Sequence, residues 1–285
     1  MRRVATLLSV TGLFALTTLL ACRDAEGPQN PSELPGIDTS DLTHRERDDF
    51  HKYVSELYAP CADVAVPVAQ CVTEKRACPR CVDAAKFLYL RVRDGQTASQ
   101  ITAEYKARFD PAEVKTIPID GSPTKGPESA RVVIVEFADF ECPGCGALVP
   151  VMDRILDKHP ADVRLVYKFF PLVKRHPHAE ASARAGIAAM DRGKFWEMHH
   201  LLFANQEHLD DPMLEEYAKQ LGLGDAKFVT DMRAPETTDR IARDGALVER
   251  LGVDHTPTVF VNGRFVDLAT SNLEQWVDGE LGIAE

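Results

Sequence analysis

The chain has 285 residues and a formal net charge of −11, with 45% hydrophobic and 27% charged residues. That length allows one large domain or two small ones with a sizeable core. The acidic balance, with no basic stripe of interleaved aromatics, excludes nucleic acid as an expected partner.

Residues 1–21 read as an export signal. Met1-Arg2-Arg3 is the positive start, and Val4 to Leu20 is apolar but diluted by Thr11, Gly12, Thr17 and Thr18. Leu19-Leu20-Ala21-Cys22 resembles a bacterial lipobox, which makes Cys22 the expected lipidation site and membrane attachment point. Residues 22–40, rich in Pro, Gly, Asp and Glu, read as a flexible tether.

A small helical, cysteine-containing domain is expected over 41–109. Phe50, Val54 and Leu57 share a face of the first helix, which Pro60 stops. A second helix is expected from Pro67. Cys78-Pro79-Arg80-Cys81 opens a third, with Ala84, Leu88 and Val92 at helical spacing, and Thr97 with Gln100 forms a capping box for a fourth carrying Ile101, Tyr105 and Phe109. A domain of this size needs staples. The Pro- and Gly-rich stretch 110–129 reads as a linker.

From residue 130 the pattern changes. A strand over 131–137 precedes a helix from Pro143 to about His159, and a second strand covers Val163 to Phe169. Helical patterns fill 177–252, with starts at Pro177, Lys194, Asp211-Pro212 and Pro235. Thr258 to Val261, Asn262-Gly263 and Arg264 to Val266 read as a hairpin, and Ser271 with Glu274 caps a last helix. Strands alternating with helices predict an α/β sheet with parallel members over 130–285.

The chemistry-bearing stretch is Phe140-Glu141-Cys142-Pro143-Gly144-Cys145. Two cysteines separated by two residues at a helix start sit where backbone N–H groups and the helix dipole favour a thiolate, the reactive form of a thiol. Pro143 falls at the first helical position, where its missing N–H costs nothing.

Together with Glu136 to Asp139 before it, this stretch resembles the active site of the thioredoxin superfamily, and more narrowly its DsbA-like branch of exported thiol–disulfide oxidoreductases. Gly252-Val253-Asp254-His255-Thr256-Pro257-Thr258-Val259-Phe260-Val261-Asn262-Gly263 resembles that family's cis-proline strand. Gly193-Lys194-Phe195-Trp196-Glu197-Met198-His199 resembles one of its helices. The helical block before Pro257 matches the branch's insertion.

The resemblance covers about 118–285 and implies a thioredoxin fold with a helical insertion. It implies that Cys142 is the exposed nucleophile and Cys145 the resolving thiol, and that Thr256-Pro257 is a cis peptide facing them. It also implies that Glu136 is a buried acid beneath the dithiol. Asp139 and Lys168 are candidates to join Glu136 in a charge network. Gly144 departs from the His often present in the DsbA-type dipeptide. One lost contact of ~1.4 kcal/mol is about 30 mV for a two-electron couple, so direction stays open. No cofactor is expected, because the cysteines carry the electrons. The expected partners are cysteine-containing exported proteins and a membrane redox partner, in a bacterial periplasm or cell envelope.

Three readings stay open for the upstream cysteines: a second redox pair at Cys78 and Cys81, structural disulfides such as Cys61–Cys71, or a zinc site from all four. The span of about 55–118 loosely resembles the helical CcmH-type domain of cytochrome c maturation, with extra residues around Cys71. That makes a thiol reductase in that process one alternative function. A metal-binding thiol carrier or assembly factor is another.

Overall fold

The computed structural model describes residues 34–282. The expected signal segment, Cys22 and most of the tether lie outside the described residues. No helix among the described residues is long and apolar enough to cross a membrane.

The upstream region contains α1 (His44–Glu56), α2 (Val68–Thr73), α3 (Cys81–Arg93) and α4 (Ala98–Phe109). Both capping boxes are built from local chemistry. Thr43 with Glu46 opens α1, and Thr97 with Gln100 opens α4, so two otherwise orphaned donors are satisfied at each start. The apolar faces meet in one cluster that includes Phe50, Val54, Leu88, Ile101 and Phe109.

Four cysteines staple this cluster as Cys61–Cys78 and Cys71–Cys81. The structure therefore corrects two of the open readings. Cys61 is not paired with Cys71, and Cys78 and Cys81 belong to different disulfides rather than forming one dithiol. Cys71, Cys78 and Cys81 bring their sulfurs within 4.8 Å of one another. All three are already joined in S–S bonds, so no free thiolate set is available for zinc.

The stretch read as a linker is tied into the fold. It forms a 3₁₀ turn at Pro111–Glu113 and then β1 (Thr124–Lys125), which pairs antiparallel with β3 (Val163–Phe169). Lys115 N–H donates to Gly263 O at 2.8 Å, and Ile117 and Ile119 pack on the sheet. Two strand residues give no periodicity to read, so the Pro and Gly content dominated.

The sheet has five strands in the order β1-β3-β2-β4-β5, where β2 is Val132–Ala138, β4 is Thr258–Val261 and β5 is Arg264–Val266. β2 and β3 are parallel, β4 runs antiparallel to β2, and β5 runs antiparallel to β4 across the Asn262-Gly263 hairpin. Side chains alternate across the sheet. Val132 and Ile134 meet α5 (Pro143–Lys158) and α11 (Leu273–Leu281) on one face. Val135 and Phe137 meet Leu247 and Val248 of α10 (Pro235–Leu251) on the other.

Between β3 and β4 lie α6 (Ala179–Met190), α7 (Phe195–Ala204), α8 (Asp211–Gln220), α9 (Ala226–Met232) and α10. Their core gathers Phe140, Tyr167, Met198 and Leu202 around Cys145. The sequence pattern did not reveal α9, a seven-residue helix capped by Asp225. The last helix is capped by Asn272, which accepts from Gln275 N–H, and not by Ser271.

Helical region and sheet are joined at one edge. Arg108 stacks over Trp276 at 4.9 Å, and Arg264 donates to Asp110 O at 2.7 Å. Arg80 pairs with Glu280 at 2.7 Å.

Candidate active site

β2 ends at Ala138, and the chain turns once before α5. Asp139 makes that turn. Its Oδ1 accepts from Glu141 N–H at 2.9 Å, and its Oδ2 accepts from Leu172 N–H at 2.8 Å and contacts His176 Nδ1 at 2.7 Å. Glu141 Oε2 accepts from His178 N–H at 2.7 Å, tying the loop to the start of α6. Both acids hold the loop that presents the dithiol.

Cys142 is the N-cap of α5, Pro143 is its first residue, and Cys145 lies within its first turn. Both thiols are free and largely buried, Cys145 completely and Cys142 with 7% exposed. Cys142 Sγ donates to Thr256 O at 3.4 Å, and the Thr256-Pro257 peptide is cis.

A hydrogen bond from the Cys145 thiol is the main influence lowering the Cys142 thiol to about 5. The Thr256 side chain and the N–H groups of Cys145 and Gly144 add to it, while burial opposes it. Those N–H groups act on the sulfur through their dipoles, short of a full capping bond. Burial, then the Cys142 contact and the nearby Glu136 charge, push the Cys145 thiol far up. The two sulfurs are thus electrically opposite: one is a ready thiolate and the other holds its proton.

Glu136 lies on β2 with the parity of Ile134, on the α5 side of the sheet, and is 3% exposed. Burial, followed by the Cys142 charge, raises its carboxyl to about 8. Such a group exchanges protons near neutrality.

Asp139 and Lys168 do not join it. Lys168 is the register partner of Phe137, whereas Glu136 pairs with Tyr167, so Lys168 points through the other face. There it makes a buried ion pair with Asp244 of α10 at 3.0 Å, and Asp244 also accepts from Phe169 N–H at 2.9 Å. Asp244 was not singled out from sequence, and strand parity was the signal that could have removed Lys168. His255 pairs with Asp254 at 2.8 Å in an exposed position, and His199 is a core residue. Burial, chiefly, lowers the His199 imidazole to about 3.

Gly144 lies close against the Pro257 ring. A Cβ there would come within 3.0 Å of Pro257 Cδ, so the helix start and the proline ring pack at contact distance. Sequence reading also missed Gln206, in the turn after α7, whose amide reaches Phe140 O and Cys142 O.

The two sets of cysteines lie far apart. Asp278 binds Lys158 and His159 at the C-terminal end of α5, and Glu280, two residues on, binds Arg80 beside Cys81. The dithiol opens the other end of this 16-residue helix, about 24 Å away at 1.5 Å per residue.

Comparison with known proteins agrees with this geometry. A family model described as Thioredoxin matches residues 119–279. Among curated proteins, the chain is 41% identical over 145 residues to Na(+)/H(+) antiporter NhaA 3 of Salinispora tropica, covering 51% of this chain and 22% of that protein. It is 36% identical over 140 residues to Na(+)/H(+) antiporter NhaA of Herminiimonas arsenicoxydans, covering 49% of this chain and again 22% of that one. The chain thus spans about a fifth of the length of these relatives.

Among solved structures, a thioredoxin-like oxidoreductase from Silicibacter pomeroyi DSS-3 is 30% identical with a TM-score of 0.51, covering 58% of this chain and 95% of that one. Wolbachia pipientis alpha-DsbA1 is 16% identical with a TM-score of 0.50, covering 59% of this chain and 92% of that one, a likeness of fold.

Proposed function

The chain belongs to the thioredoxin family, and from that premise we propose that it is a thiol–disulfide oxidoreductase exchanging disulfides with cysteines of other exported proteins through Cys142 and Cys145. The observation that carries the reading is the pair of free cysteines at the start of α5, with Cys142 Sγ against Thr256 O at 3.4 Å.

Acting as an oxidant, the Cys142–Cys145 disulfide is attacked at Cys142 by a substrate thiolate. The S–S bond breaks and its electron pair leaves on Cys145, which takes a proton from Glu136. The second substrate thiolate then attacks the substrate sulfur of the mixed disulfide. This releases the oxidised substrate and leaves Cys142 as the thiolate that its surroundings favour. Acting as a reductase, the same steps run backwards, with Cys142 attacking and Cys145 resolving. The Thr256 backbone pairs with an extended substrate segment beside Pro257. Export by residues 1–21 and lipidation of Cys22 place this chemistry at a bacterial envelope membrane, next to a membrane redox partner.

The test is insulin reduction and dithiol oxidation by the full chain and by Cys142→Ser. Loss of about a thousandfold or more in both assays is expected. Unchanged turnover in the variant overturns the reading.

A further inference from the structure

We infer that Gln206 is a positioning residue for the dithiol, its side-chain amide clamping the loop that carries Cys142 to the helical insertion. This rests on the reading of Cys142 as the nucleophile.

Gln206 Nε2 donates to Phe140 O and to Cys142 O, each at 2.8 Å. Both acceptors are carbonyls, so the amide nitrogen must face them. One side chain thereby spans the loop from before Glu141 to the N-cap of α5. Gln206 is itself presented by a fixed turn. Asn205 Nδ2 donates to Leu201 O at 2.8 Å, and Tyr217 hydroxyl donates to His208 O at 2.9 Å.

The room for this clamp is made by Gly146. A Cβ at that position would meet Gln206 Oε1 at 2.5 Å, so an alanine there displaces the amide. Gly146 lies inside α5 with no positive φ, where helix propensity alone favours alanine. Its glycine is explained by the clamp and not by the helix.

The consequence falls on the sulfur. Cys142 is a stabilised thiolate only while Sγ stays beside Thr256, the Cys145 thiol and the first N–H groups of α5. The clamp holds the backbone carbonyl of that residue. Without it Cys142 O loses one of two donors, keeping Gly146 N–H at 3.1 Å, and the sulfur's contacts are made for less of the time. A residue that merely packs would leave the sulfur's environment unchanged.

The experiment is an ultraviolet titration of the Cys142 thiolate in the full chain, with the upstream disulfides intact. It compares wild type, Gln206→Met, Gly146→Ala and the double variant. Methionine keeps length and neutrality and removes both donors.

Each single variant is expected to raise the midpoint by about half a unit or more, a roughly threefold loss of thiolate below it. The double variant is expected to shift no further than the larger single one, because both remove one interaction. Midpoints equal to wild type, even with a lowered melting temperature, overturn the proposal, and so do additive shifts. If Gln206→Met fails to fold, Gly146→Ala carries the test alone. Activity surviving Cys142→Ser would sink the functional reading itself, whereas an unmoved midpoint in an enzyme that needs Cys142 sinks only the clamp.

Discussion

Two stretches of this chain share the pattern Cys-Pro-x-Cys at a helix start, yet they meet different ends. In Cys142-Pro143-Gly144-Cys145, the first cysteine is the N-cap of α5 and the second lies within the first turn. In Cys78-Pro79-Arg80-Cys81, Arg80 is the N-cap of α3 and Cys81 its first residue, so Cys78 sits ahead of the helix in a turn. A shift of two residues against the helix removes Cys78 from the helix N-terminal donors and lets it reach Cys61, while Cys81 reaches Cys71. Spacing alone does not make a redox pair; its register on the helix does.

The two regions are also held by different forces. The upstream one is a small helical cluster fixed by covalent bonds. Around the dithiol the support is noncovalent: a buried ion pair, capped turns and a carboxyl kept uncharged.

The largest effect that would sharpen this contrast is expected at the ion pair. Asp244→Ala leaves Lys168 buried without a partner and should cost about 3–5 kcal/mol, read as a lower urea midpoint. The upstream disulfides should stay intact in that variant, and a change within about 0.5 kcal/mol would break the account.

Glu136→Gln tests the uncharged carboxyl. A carboxyl raised to about 8 in the folded state contributes stability fully present below its unfolded value of 4.5, and lost as pH rises through 8. The reduced variant should therefore gain on wild type between pH 5 and pH 8, by about 3–4 kcal/mol. A stability gap that stays constant over that range would show that Glu136 titrates normally.

Cys61→Ser with Cys78→Ser should destabilise the upstream region by about 2–4 kcal/mol, because one loop closure is lost. Insulin reduction should persist at a comparable rate. Equal loss of activity in this variant and in Cys142→Ser would break the division between staples and reactive dithiol.

Much of this was legible in sequence. The hairpin at Asn262-Gly263, the capping box of Thr97 with Gln100 and the helix opened by Pro143 follow from local rules, and the structure places them as expected. The resemblance carried the fold and the Cys142–Pro257 meeting, which no local pattern contains. What stayed hidden depends on distance in the chain. Four cysteines allow three pairings, and only the packing of α1 to α3 selects one. Lys168 finds Asp244 from 76 residues away, and Gln206 reaches Cys142 from 64. β1 was hidden for the opposite reason, since two residues carry no period.

The most direct measurement is graded reduction of the native full chain, with alkylation and mass mapping at each step. At the mildest poise that labels any cysteine, label is expected on Cys142 and Cys145 alone, with Cys61–Cys78 and Cys71–Cys81 recovered as disulfides. Label on Cys78 and Cys81 at that same poise, or a mapped Cys78–Cys81 bond, would contradict the account.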